Sequence, residues 1–223
     1  EFSPRCQMKT SQTKVTALEA EDFLGDIHPL IDRLGSADGL NLAGAVNASL
    51  RLDDVNDLAG LKKFLENYRT QLLAPIELPL ICRAYTHASR NEFFELIALD
   101  QQIATDARLE ILASASKRIG AIQLKRLHPL RDQRGLQRYI RAVEAGEAHA
   151  WHTLVYGVTL ASFSFPWRQG LQHYARQTLH GFVHSAEHSR GFAKHDCEML
   201  LEENFAKIPA MIEGAFADVL TAR

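Results

Sequence analysis

Thr105-Asp-Ala-Arg-Leu-Glu-Ile-Leu-Ala-Ser-Ala-Ser-Lys-Arg-Ile-Gly-Ala-Ile-Gln-Leu-Lys-Arg-Leu127 is the most regular stretch of the chain. Leu109, Leu112, Ala113, Ser116, Ile119 and Gly120 recur at intervals of three and four and share one helical face. Arg108, Lys117, Lys125 and Arg126 occupy the other side, and Pro129 ends the run. The small members Ala113, Ser116 and Gly120 would let a neighbouring element approach closely, in the core or at an interface.

The same spacing extends outward. Downstream, Leu136–Ala145 and Glu147–Phe163 read as helices separated by Gly146. Pro166 opens a long helix to about Arg190, which Gly191 stops. Lys194–Phe205 and Pro209–Leu220 close the chain. Upstream, Asn91 is the expected cap of a helix to Ala104, and Pro79 sits in the first turn of one carrying Leu80, Ile81, Ala84, Tyr85 and Ala88. Asp57 is a candidate N-cap for a helix with Leu58, Leu61, Phe64, Leu65, Tyr68 and Leu72 on its apolar stripe, stopped by Pro75. Ala17–Leu34 has helical spacing interrupted by Pro29, and a loop at 35–39 precedes a short helix ending at Leu50. The one strand-like run, Thr153–Thr159, contains Gly157 and reads better as helix. These signals predict an all-α fold: a compact single-domain bundle of nine or ten helices over residues 17–223, with 1–16 a polar tail.

Composition narrows the function. The chain has 223 residues, a formal charge of −2 and 46% apolar residues, enough for a core and no electrostatic case for gripping nucleic acid or an anionic membrane. The most apolar window, Thr153–Phe165, is far short of the roughly 20 residues that span a bilayer. Residues 1–16 lack the apolar segment of a secretory signal. Cys6, Cys82 and Cys197 are too few and too scattered for a disulfide framework. A reducing, cytoplasmic setting is expected.

No P-loop, dinucleotide fingerprint, nucleophile elbow or His-Glu-x-x-His pattern occurs, and no histidine stands three after a glutamate. No catalytic residue is assigned. Seven of the ten histidines lie between His149 and His195. His180, His184 and His188 stack at i, i+4 and i+8 on one helix face, a spacing that suits zinc, nickel or copper. The same residues could instead hydrogen-bond at a polar interface with carboxylates such as Glu187. His149 and His152 form a second pair, read as structural; Cys197 reads as a small buried apolar group, and Trp151 and Trp167 as packing anchors.

Four segments, in order, resemble the urease accessory protein UreF family. Leu61-Lys-Lys-Phe-Leu65, Leu73-Ala-Pro-Ile-Glu-Leu-Pro-Leu80 and Ala84-Tyr85 resemble its L-x-x-F-L, L-A-P-x-x-L-P-L and A-x-Y region. Leu99-Asp100, Ala107-Arg-Leu-Glu110, Ser116 and Gly120 resemble a helix pair of the family. His152-Thr-Leu-Val-Tyr-Gly157, Pro166 and Tyr174 are similar to H-x-x-V-F-G followed by P and A-Y. Phe182-Val-His-Ser-Ala186, Phe192-Ala-Lys-His-Asp196 and Leu200-Leu201 stand where the family has L-V-S-A-A and P-L-G-Q-x-D-G-Q. Of that last motif only Asp196 and the spacing remain, and the glycine-rich N-terminal motif of the family is not present; Gly39–Val46 is the nearest stretch.

The resemblance implies a scaffold without catalysis of its own. Such a protein bridges an accessory protein of the UreD/UreH type and a GTPase of the UreG type during nickel delivery to apo-urease, commonly as a homodimer. It implies no tightly bound cofactor, nickel passing through the complex, and partner contacts near Phe192, Lys194, His195 and Asp196. The competing expectation is a helical-bundle enzyme holding a cofactor or small substrate between helices, as haem-oxygenase-like or thiaminase-like proteins do.

Overall fold

The structure is a computed structural model that describes residues 55–221. The expectations for the tail at 1–16, the helices at 17–34 and up to Leu50, and Cys6 lie outside the described residues. Within them the chain is helical with no strand, as the spacing predicts.

Asp57 caps the first helix, its Oδ1 accepting from the Gly60 amide at 2.7 Å. The helix does not stop at Pro75. Leu58–Tyr68, a π-helical segment Arg69–Glu77 and Leu78–Ser89 run on as one rod, α1. Backbone angles stay right-handed helical at Tyr68, Arg69, Glu77 and Leu78. The wider winding accounts for the survival of a mid-helix proline: bonds such as Leu78 N–H to Leu73 O reach back five residues, and the carbonyl that a proline ring would strike in an α-helix is displaced. The remaining elements are α2 (Phe93–Ile103), α3 (Glu110–Arg126), α4 (Arg134–Glu144), α5 (His152–Ser162), α6 (Trp167–Arg190), α7 (Lys194–Phe205) and α8 (Ile208–Thr221). The expected count of nine or ten is not met, because α1 fuses two predicted helices and two others fall outside the described residues.

Three starts also differ from expectation. Asn91 adopts φ 59° in the turn before α2, whose N-cap position is Glu92. Asp106 draws the chain into a side-chain turn, accepting from the Arg108 amide at 3.0 Å, so α3 begins at Glu110. α5 begins at His152 rather than Glu147, because Ala150 takes a left-handed φ of 56°. Gly191 ends α6 in the left-handed region, as predicted.

α5 is the hub. His152 through Leu160 are all buried, so the helix is enclosed on every side. It packs chiefly against the Leu78–Ser89 part of α1 and against α3, with α6 beyond. Two glycines permit this. A Cβ on Gly157 would meet the Ile81 carbonyl at 2.6 Å; one on Gly120 would sit 1.8 Å from the Ala150 carbonyl. The small-residue face of α3 is therefore spent inside the fold. Phe182 meets Phe64 and Tyr68 edge-on at 5.1 and 4.7 Å, tying α6 to α1. Among the described residues no helix is long and apolar enough to cross a membrane.

Candidate functional site

Polar residues of the sequence motifs meet in the interior. Two of them come from the rod. Tyr68 and Glu77 are nine residues apart, which in an α-helix turning about 100° per residue would set them on opposite sides. The π winding advances by only about 80° per residue, so nine steps return to the starting face after two turns. Tyr68 Oη thus donates to Glu77 Oε2 at 2.5 Å. Burial raises the Glu77 carboxyl from 4.5 to about 7, while hydrogen bonds from Tyr68 and Tyr174 oppose the rise.

Tyr174, on α6, links this carboxyl to α5. Its hydroxyl lies 2.7 Å from His152 Nε2. His152 Nδ1 lies 2.8 Å from Ser116 Oγ, which also accepts from the His152 amide at 3.2 Å. The assignment that satisfies each partner has Ser116 O–H donating to Nδ1 and Nε2–H donating to Tyr174. Burial holds the His152 ring at about 3, so it is neutral at physiological pH. The chain Glu77, Tyr174, His152, Ser116 stitches α1, α6, α5 and α3 together, and both nitrogens of His152 are used within it.

Asp100 forms a second internal clasp. Its carboxylate accepts from Tyr139 Oη at 2.7 Å, the His149 amide at 2.6 Å and the Ala150 amide at 3.0 Å. It fixes the segment leading into α5, and Gln101 Nε2 donates to the Glu147 carbonyl beside it at 2.8 Å. His149 is thus half-buried in a loop, not on a helix with His152. Cys82 and Cys197 are buried, as is Trp151, under Lys117; Trp167 stacks on Phe216 at 4.6 Å.

Outside, the L-A-P-x-x-L-P-L segment borders an open groove of about 390 Å³, lined by Pro75, Pro79, Arg83, Asp106 and Arg108 among others. The histidine row lies elsewhere, on the last turns of α6. The rings of His180 and His184 stack at 5.9 Å, and those of His184 and His188 approach to 4.0 Å. The ligand atoms that converge are those of His184, Glu187 and His188, all within 4.8 Å of one another; His180 does not join them. Glu187, expected from the sequence only as a hydrogen-bond acceptor, joins the set through its i+3 spacing from His184.

Phe192, Lys194, His195 and Asp196 occupy the adjoining corner, from the α6–α7 turn through the first turn of α7. Phe192 packs on the core, Lys194 faces Glu198 at 3.8 Å, and His195 is exposed.

The geometry accounts for the sequence motifs as a set. Ser116, His152, Tyr174 and Glu77 come from three of the four segments singled out earlier, and one buried hydrogen-bond chain joins them. The UreF family model matches residues 55–187, more than half of the chain. The chain belongs to the UreF family. No curated protein matches the sequence. The matched residues span α1 to the end of the His184–Glu187 turn and leave out the Phe192–Asp196 corner. UreF membership points to an accessory role in urease maturation.

Proposed function

We propose that this UreF-family chain is a helical adaptor that performs no chemistry itself. It bridges an accessory protein of the UreD/UreH type and a GTPase of the UreG type while nickel is delivered to apo-urease. In this reading it works in the cytoplasm as a homodimer, and the corner at Phe192, Lys194, His195 and Asp196 takes part in docking. The observation that carries the reading is the family match over residues 55–187. The use of the motif polar groups supports it: His152, Tyr174, Ser116 and Asp100 hold helices together, so their role at these positions is architectural.

The test is affinity capture of the full chain from its native host, followed by GTP turnover of any captured GTPase. Recovery of a GTPase together with a urease component, with turnover altered on adding the chain, is the expected result. Recovery of neither would overturn the reading. Lys194→Ala with His195→Ala is expected to weaken GTPase capture without changing the helical circular dichroism.

A further inference from the structure

His184, Glu187 and His188 lie at i, i+3 and i+4 at the C-terminal end of α6, so their side chains emerge on one face. A divalent ion of borderline softness takes imidazole nitrogens and carboxylate oxygens at about 2.0–2.2 Å. The three donors lie within 4.8 Å of one another, close to the spacing that a shared ion imposes.

The donor atoms are set up for it. His188 Nδ1 lies 3.0 Å from the His184 carbonyl, which can only accept. Nδ1 therefore carries the proton, and the Nε2 lone pair is left for a ligand bond. That arrangement, a backbone acceptor fixing the tautomer of a ligating imidazole, is common at metal sites. His184 is half-buried between the rings of His180 and His188, which limits its rotamers. Glu187 is half-buried and makes no ion pair among the described residues. The electrostatics favour a cation, because the carbonyl end of α6 carries the negative pole of its dipole. By contrast His152 spends both nitrogens internally, and His87 is held by Glu92 at 3.0 Å.

We propose that His184, Glu187 and His188 form a binding site for one divalent transition-metal ion, nickel or zinc by donor chemistry. Three ligands from one partly exposed helix face leave coordination positions open to water or to a donor from a partner. Such a site exchanges its ion rather than storing it. The binding itself is independent of the adaptor reading; a part for the site in metal delivery rests on that reading.

The test is calorimetric titration of NiCl2 and of ZnCl2 into the chelator-free full chain and its variants. The parent is expected to bind one equivalent that H184A/H188A loses. Glu187→Gln is expected to weaken that equivalent at least tenfold, and His180→Ala to leave it within twofold. The single variant His188→Gln, at an exposed position, reads the same loss if the double variant fails to fold, as judged by circular dichroism. Retention of the equivalent in H184A/H188A, its absence from the parent, or its loss in H180A would overturn the assignment. Capture of the GTPase with EDTA present separates this result from the adaptor reading: a failed titration with intact capture removes the metal site alone.

Discussion

Two buried residues with opposite titration behaviour set the pH response of the interior. His152 is held at about 3 against an ordinary 6.5 by burial. Its folded state prefers the neutral ring, so the associated stability is complete above pH 6.5 and is lost as pH falls from there towards 3. Glu77 is raised from 4.5 to about 7. Its folded state prefers the protonated acid, so that stability is complete below pH 4.5 and is lost as pH rises to 7. Between pH 4.5 and 6.5 the two slopes cancel. Glu77→Gln, which keeps an acceptor for Tyr68, removes only the second. The variant is expected to gain on the parent by about 3 kcal/mol between pH 4.5 and pH 8, measured by urea unfolding at both. A gap that does not change with pH would place the Glu77 titration outside this range.

Elements pack where the sequence left room for them. Gly120→Ala would place a methyl 1.8 Å from the carbonyl of Ala150, a residue whose amide Asp100 already holds, so the backbone has little room to yield. Destabilisation of about 3 kcal/mol or more is expected in thermal or urea unfolding. Gly214→Ala is the internal contrast. It lies within α8 with nothing near a new Cβ, and a gain of about 0.5–1 kcal/mol from helix propensity is expected. The need for a close approach at Gly120, and the stops at Gly146 and Gly191, were legible because small or flexible residues advertise their use one position at a time. The π segment was not. Nothing in Arg69–Glu77 marks its slower winding, and the expected stop at Pro75 leaves Tyr68 on one helix and Glu77 outside it, so the pair does not show in the sequence. The Asp100 clasp was hidden for a different reason: its backbone partners lie 49 and 50 residues away, beyond any local pattern. Glu187 stands on the same face as the His row, and only the structure shows its carboxylate converging with His184 and His188.

At the scale of the molecule, the surface ion pairs are minor and the interior decides. Glu203 joins Lys62 of α1 at 2.7 Å and Lys207 at 3.0 Å, yet all three groups are well exposed. Salt is expected to screen them, so Glu203→Gln should leave the unfolding midpoint nearly unchanged at physiological ionic strength. The enclosed helix α5 has a consequence for how the protein is made. Arg190 follows Ser162 by 28 residues, a delay of about one to six seconds at a translation rate of about 5–20 residues per second. For the first 12 of those residues α5 is an apolar segment whose His152 still lacks Tyr174, and the rest of α6 follows later. A nascent polypeptide stalled when Ser162 has just cleared the exit tunnel is expected to crosslink to holdase chaperones, and one stalled after Thr221 has cleared it to escape them. Biogenesis of this chain is therefore most exposed to proteolysis and clumping after α5 emerges and before α6 follows to shelter it.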